Sequence, residues 1–239
     1  MLRTAVFWVV TVPATAFFSS VSIVGGLLRA PASLHDWVHR HWGRTELWAA
    51  GVKTTITGLE NVSLSSPQIF VANHQSIFDI FAILGNVPAS VRFVAKKELG
   101  RIPIFALAMR AAGHIFIDRK DRLGAGKAMQ AAGERMKRDR LSLGLFPEGT
   151  RSPTGQLRDF KKGTFALAIQ TQVPIVPLAV DGGYKVSTRG RIQSGHMRLA
   201  LAPPIPTAGK TAEDRDAVLL HVRAEIEGLL EAGRAPASD

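Results

Sequence analysis

The chain of 239 residues contains no cysteine, which excludes disulfides, thiolate metal sites and a cysteine nucleophile. It also lacks the G-x-S-x-G elbow of serine hydrolases and a G-x-G-x-x-G loop after a strand. Residues 208–211 come nearest to a P-loop, but Pro204 stands where that loop requires its first glycine. Catalysis through a cysteine or an elbow serine is therefore excluded, as is nucleotide binding by these loops.

Tyrosine is also scarce, with a single residue, and no basic strand carries the aromatic side chains typical of RNA-binding domains. The formal net charge is +11, so the chain should attract polyanions such as nucleic acid, anionic lipid headgroups or phosphorylated substrates. Trp37, Trp42 and Trp48 follow an apolar N-terminal segment, as aromatic residues do at membrane interfaces. We therefore expect a membrane lipid surface as a partner, and no nucleic acid.

The N-terminal segment, residues 4–28, carries no charged side chain and is long enough to cross a bilayer. Pro13 and the adjacent Gly25 and Gly26 should interrupt it. It is then either one spanning helix or a broken helix pair lying partly within one leaflet. A signal peptide cleaved after an A-x-A site and a buried core helix are less favoured alternatives.

A second helix is expected over residues 34–50, with Ser33 as its N-cap. His35 and His39 share one face of this helix and could ligate a metal ion. No carboxylate pair at a useful spacing completes such a site, so no metal is predicted. Residues 1–50 are accordingly predicted to form a membrane-anchoring helical segment.

Beyond residue 51, short apolar runs alternate with helical patterns. The predicted strands are 52–57, 68–71, 91–95, 114–117, 141–146, 175–180 and 197–201, and the predicted helices are 77–84, 102–112, 123–137, 163–170 and 211–230. This alternation predicts an α/β fold with a largely parallel or mixed sheet flanked by helices. It covers one domain, 51–233, which is followed by a flexible tail, 234–239.

His74 and Asp79 stand at the bend between an apolar strand and the next helix. On one continuous helix they would point about 140° apart. They can meet only if His74 lies in the bend and Asp79 reaches back from the first helical turn. A carboxylate bonded to one ring nitrogen would fix the tautomer and leave the other nitrogen as a base. The alternative is an ordinary polar pair at a helix start.

Further polar groups also follow predicted strands. Arg119 comes after one strand, and Glu148, Gly149 and Arg151 come after the next. The carboxyl ends of parallel strands share one edge of a sheet, so these loops could build one site with His74. The arginine guanidinium groups are suited to phosphate.

Lys161 and Lys162 precede a predicted helix whose N-terminus would also favour an anion. A solvated basic surface explains these two lysines equally well.

The residues at 73–79, N-H-Q-S-I-F-D, resemble the N-H-x-x-x-x-D box of the glycerolipid acyltransferases. Residues 113–119 resemble the second block of that family, F-P-E-G-T-R-S at 146–152 matches the third, and V-P-I-V-P at 173–177 is similar to the fourth. Four blocks in the same order are far more specific than any one of them. The residues of the first and third blocks, N-H-Q-S at 73–76 and F-P-E-G-T-R-S at 146–152, favour the branch of the family that acylates 1-acylglycerol-3-phosphate.

The resemblance implies that 51–233 is an acyltransferase catalytic domain. The expected reaction moves an acyl chain from acyl-ACP or acyl-CoA to the 2-hydroxyl of lysophosphatidic acid, giving phosphatidic acid. His74 would act as general base and Asp79 would orient it, with no acyl-enzyme and no cofactor beyond the thioester co-substrate. The expected substrate-binding residues are Arg119, Glu148, Gly149, Thr150, Arg151, Lys161 and Lys162.

The expected partners are thus lysophosphatidic acid, acyl-CoA or acyl carrier protein, and a membrane. The expected location is the cytoplasmic face of a bacterial inner membrane. Two alternatives stay open: the same chemistry on another lysophospholipid, and a non-catalytic basic protein bound to a membrane surface.

Overall fold

The computed structural model describes residues 1–118, 121–188 and 190–234. The helices are α1 (Leu2–Leu27), α2 (Ala32–Ala50), α3 (Phe78–Asn86), α4 (Pro103–Ala112), α5 (Arg122–Asp139), α6 (Gly163–Thr171), α7 (Gly183–Val186) and α8 (Arg215–Ala232). The strands are β1 (Val52–Thr57), β2 (Ile69–Ala72), β3 (Val91–Lys96), β4 (Ile115–Ile117), β5 (Ser142–Leu145), β6 (Ile175–Asp181), β7 (Ser187–Thr188), β8 (Arg191–Ile192) and β9 (Gly195–Leu201).

Seven strands form one sheet in the order β1-β9-β6-β2-β5-β3-β4. Every neighbouring pair in it is parallel except β6 and β9, which are antiparallel. One face packs against α1, α2 and α3, and the other against α5, α6 and α8, so the core has two layers. The central strand β2 is buried along its whole length, as a strand covered on both faces must be. The predicted α/β class with a largely parallel sheet is confirmed.

The N-terminal residues form a helical pair packed on the α/β domain. The expected interruptions do not occur, because α1 continues through Pro13 and through Gly25 and Gly26. These glycines serve close packing instead: a Cβ at Gly26 would lie 2.7 Å from the Cβ of Ala111. Ser33 is not the N-cap of α2, because the helix already begins at Ala32 after Pro31.

Only 17% of the most apolar window of α1 is buried, which argues against a core helix. Among the described helices, α1 alone is long and apolar enough to cross a membrane. The division into 1–50, 51–233 and 234–239 stays a prediction, although β1 does begin directly after the left-handed Gly51 that ends α2. Residues 235–239 of the expected tail lie outside the described residues.

Between β6 and β9 lie elements that the sequence pattern does not predict. Gly182, with φ +91°, turns the chain out of β6 into the single turn of α7, and β7 and β8 then form a two-stranded hairpin. A Cβ at Gly182 would lie 2.3 Å from the carbonyl oxygen of His196, so only glycine fits this turn. These elements are too short to produce a readable periodicity.

Candidate active site

The bend after β2 brings His74 and Asp79 together as the spacing requires. The Nδ1 atom of His74 lies 2.8 Å from Oδ2 of Asp79, which sits in the first turn of α3. The same oxygen accepts the backbone N–H groups of Gln75 at 2.6 Å and Ser76 at 2.7 Å. Asp79 is fully buried, whereas 12% of the His74 side chain is exposed. An ionised Asp79 accepts only, so His74 Nδ1 carries the proton and Nε2 is left as the basic nitrogen.

The bend itself is held from two sides. The side-chain amide of Asn73 donates to the carbonyl oxygen of Val180 at 2.8 Å and accepts the Val180 N–H at the same distance, which ties the bend to β6. On the other side, the N–H of Ser152 donates to the carbonyl oxygen of His74 at 2.8 Å. These backbone contacts fix where the His74 side chain begins, so they prearrange its Nε2 atom.

The ring of His74 stacks on Phe146, with centroids 4.0 Å apart and planes 14° apart. Phe146 in turn stacks on Phe93 of β3 at 5.6 Å. The stack restrains the imidazole plane, while Asp79 sets its rotation. From the sequence, Phe146 is the apolar end of a strand and the first residue of the third block. Its stacking on His74 depends on the adjacency of β2, β5 and β3 in the sheet.

Glu148 is buried beside the bend, and both of its carboxylate oxygens accept backbone N–H groups. Oε1 accepts from His74 at 2.7 Å and Oε2 from Arg158 at 3.2 Å. Burial raises the pKa of Glu148 above its ordinary value, and the two backbone donors oppose that shift. Glu148 thus links the loop after β5 to the bend that carries His74. The expected contact between Glu148 and the glycerol region stays a prediction.

The other expected substrate-binding residues do not all lie at the cavity. Thr150 and Arg151 line the same cavity as His74. Gly149 has φ +71°, and the side chain of Lys161 crosses it so closely that a Cβ there would lie 2.7 Å from Nζ. The ammonium of Lys162 is instead 2.7 Å from Asp216 of α8.

Arg119 lies outside the described residues. The substrate contacts expected for Arg119, for Gly149 to Arg151 and for the two lysines stay predictions.

A cavity of about 420 Å³ extends from His74 into the space between the sheet and the N-terminal helices. Its walls are mainly apolar and come from α1, α2, α3, β3 and α4, with Trp42, Phe105, Ala108 and Met109 among the lining residues. The cavity cannot be predicted from the sequence, because its walls come from elements far apart in the chain. Their apolar periodicity alone predicts ordinary core packing.

Beside the cavity, His39 and His114 form a buried pair, with their Nε2 atoms 3.0 Å apart. The N–H of Phe93 donates to Nδ1 of His114 at 3.0 Å. Burial, with a smaller contribution from the Arg92 charge, lowers the pKa of His114 to about 3. The ring is therefore neutral at physiological pH and donates through Nε2 to His39. Among the described residues, no group of three His, Cys, Asp or Glu side chains could hold a metal ion.

Comparison with known proteins relates the chain to a family. A family model described as Acyltransferase matches residues 53–181. The chain is 34% identical over 175 residues to 1-acyl-sn-glycerol-3-phosphate acyltransferase alpha of Homo sapiens, covering 72% of this chain and 62% of the relative. It is 39% identical over 140 residues to the 1-acyl-sn-glycerol-3-phosphate acyltransferase of Cocos nucifera, covering 59% and 45%. The chain thus spans less than two thirds of the length of these curated relatives.

A solved structure is also similar: the crystal structure of the 1-acyl-sn-glycerophosphate (LPA) acyltransferase PlsC from Thermotoga maritima. It has a TM-score of 0.84 and 29% identity, and the match covers 100% of this chain and 97% of that one. These findings confirm the resemblance carried by the four blocks. The family model matches more than half of the chain and includes His74, Asp79 and the third block. The chain belongs to the acyltransferase family.

Proposed function

We propose that this protein transfers an acyl chain from a thioester donor to the 2-hydroxyl of 1-acylglycerol-3-phosphate, giving phosphatidic acid. The observation that carries the proposal is the His74–Asp79 pair at the mouth of an apolar cavity. Nε2 of His74 has no hydrogen-bond partner among the described residues, so it is available to the acceptor hydroxyl. The relatives named for this activity agree with the assignment.

The reaction follows from the protonation states in the pair. Nε2 of His74 removes the proton from the acceptor hydroxyl as its oxygen attacks the thioester carbonyl carbon. The carboxylate of Asp79 stabilises the imidazolium that forms, and the buried position of Asp79 strengthens this interaction. The tetrahedral intermediate then expels the thiolate, which takes the proton from the imidazolium. No acyl-enzyme is required, because the acceptor oxygen is itself the nucleophile.

The apolar cavity supports an acyl thioester as the donor. Its volume of about 420 Å³ and its walls of aliphatic and aromatic side chains suit a long hydrocarbon chain. With the chain inside, the thioester carbonyl would remain at the mouth, close to His74. Burying the chain there excludes water from the reacting carbonyl, which limits hydrolysis of the donor. Either acyl carrier protein or coenzyme A can present such a thioester.

A phosphate-bearing acceptor is supported by the cations of the loop after β5. Arg151 lines the cavity and Lys161 crosses Gly149 in the same loop region. Their side chains are exposed and can reach a headgroup in solvent. A phosphomonoester carries more charge than a phosphodiester and benefits more from two cations. We therefore favour lysophosphatidic acid over lysophospholipids with larger headgroups. We also propose that the enzyme works at the cytoplasmic face of a bacterial inner membrane.

The decisive experiment is acyl transfer from acyl-CoA and from acyl-ACP to lysophosphatidic acid in detergent, comparing wild type with His74→Ala. The wild type should form phosphatidic acid, and the variant almost none. His196→Ala is the matched control, because His196 is exposed on β9. Activity retained in His74→Ala would disprove the proposed base. No product from folded wild type with either donor would refute the proposed acceptor, and lysophospholipids with other headgroups would then be tried.

A further inference from the structure

An apolar surface that no sequence block marks lies on α4 and the turn before it. Leu99, Ile102, Ile104 and Leu107 are 38%, 50%, 58% and 53% exposed, respectively. We call these four residues the α4 stripe. Single exposed apolar side chains are common on soluble proteins, but a contiguous group marks a surface that contacts another apolar phase.

The α4 stripe lies beside the contact between α4 and α1. Ala108 and Ala111 face α1: the hydroxyl of Ser22 donates to the carbonyl oxygen of Ala108 at 3.3 Å, and Ala111 packs on Gly26. Ile104 lies four residues before Ala108, and Leu107 lies four before Ala111, so both stand one helical turn along the contact line.

Large apolar side chains are exposed on α1 as well, since Val12 is 62% and Phe17 is 58% exposed. Each of the two packed helices thus exposes large apolar side chains.

Basic side chains border this surface. Arg29 follows α1, Arg101 precedes α4, and Arg110 lies in its last turn; all three are exposed. Lys96 lines the cavity and is exposed at the end of β3. An apolar strip bordered by cations complements a bilayer with anionic headgroups, where the apolar side chains enter the acyl boundary and the cations remain among the phosphates.

We propose that the α4 stripe is a second membrane-contacting element that enters the bilayer beside α1. With two elements immersed, the protein cannot rotate about the axis of α1. Both α1 and α4 line the cavity, so its wall then adjoins the lipid, and Lys96 and Arg151, which also line it, lie at headgroup level. A lysolipid could thus present its headgroup to His74 without leaving the membrane. The inference rests on the membrane association included in the proposed function.

The absence of cysteine allows a direct test with single-cysteine variants carrying an environment-sensitive fluorophore. Leu107→Cys probes the α4 stripe and Val12→Cys, on the exposed side of α1, is the positive control. Leu64→Cys and Leu220→Cys are matched negative controls, because these leucines are 76% and 64% exposed and lie away from both helices. Vesicles of phosphatidylcholine and phosphatidylglycerol, with and without spin-labelled lipid, provide the bilayer and the quencher.

We expect the labels at positions 107 and 12 to shift to the blue and to be quenched by spin-labelled lipid, while the labels at 64 and 220 change little. A label that stays water-like at position 107 while the label at 12 is buried would overturn the proposal and leave the membrane role of α1 intact. If neither label entered the bilayer, membrane association would fail as a whole. Acyl transfer in detergent would still test the reaction independently.

A functional readout uses the double variant Ile104→Gln, Leu107→Gln. We expect about tenfold less acyl transfer to lysophosphatidic acid embedded in vesicles, and unchanged transfer in detergent, since the affected step is contact with the bilayer. The double variant Leu64→Gln, Leu220→Gln should behave as wild type in both assays. Equal vesicle activity for the two double variants would overturn the proposal.

Discussion

Replacing Asp79 with asparagine removes a buried negative charge while preserving the shape of the side chain. The two backbone N–H groups of Gln75 and Ser76 still require an acceptor, so the amide oxygen should take the place of Oδ2. That oxygen can also accept from Nδ1 of His74, and the tautomer and ring position are retained. The amide NH2 would then take the place of Oδ1, which is buried without a hydrogen-bond partner among the described residues. Because that NH2 is unpaired in the ground state and in the transition state alike, the change in kcat reports the stabilisation of the imidazolium by the carboxylate charge.

The size of that stabilisation can be estimated from the geometry. At about 4 Å between charge centres and an effective dielectric constant of about 20, the attraction is about 4 kcal/mol. Each factor of ten in rate corresponds to about 1.4 kcal/mol, so Asp79→Asn should lower kcat about 10³-fold. KM for lysophosphatidic acid should change little, because Asp79 is fully buried and makes no contact with the cavity mouth.

The assay is release of free thiol from acyl-CoA in the presence of lysophosphatidic acid, with phosphatidic acid identified by mass spectrometry. Asp181→Asn is a suitable control, since Asp181 lies at the same sheet edge and its carboxylate is near the side chains of Gln75 and Arg234. The control should retain kcat within a few-fold. A loss of less than tenfold in Asp79→Asn would refute the reasoning, since the carboxylate charge would then contribute little to the transition state.

Two further predictions concern the cavity and the buried histidine pair. Ala108→Phe should fill part of the cavity, because Ala108 lines it and is 7% exposed. In a competition assay with acyl-CoA donors of mixed chain length, the variant should prefer shorter acyl chains than wild type. An unchanged preference would exclude this cavity as the acyl site. The second prediction concerns pH. Because burial lowers the pKa of His114 from 6.5 to about 3, the unfolded chain binds a proton that the folded protein rejects between these values. Stability should therefore fall as pH decreases below 6.5, by up to about 1.4 kcal/mol per pH unit from this group. Denaturant titrations at several pH values give the free energy of unfolding as a function of pH. This dependence should be less steep in His114→Gln than in wild type, although His39 still contributes to it. Equal pH dependence in the two proteins would contradict the assignment.

The contact in the bend after β2 could be predicted from residue types and spacing because its partners are close in sequence. His74 and Asp79 are five positions apart, so local backbone geometry alone decides whether they meet. The parallel sheet was equally accessible, since alternating strand and helix patterns permit few arrangements. It placed Glu148 at the edge that carries His74, although it did not reveal that both carboxylate oxygens of Glu148 bind backbone N–H groups.

What the sequence determined by itself is therefore local or periodic: the α/β class, the order of the blocks, the His74–Asp79 pair and the apolar character of α1. Only the tertiary structure decided which distant surfaces face each other. Three features depend on contacts across large sequence separations: the stacking of Phe146 on His74, the cavity lined in part by α1 and α4, and the packing of α4 on α1. Apolar side chains carry no directional information about their partners, because the hydrophobic effect that packs them is proportional to area rather than specific to identity.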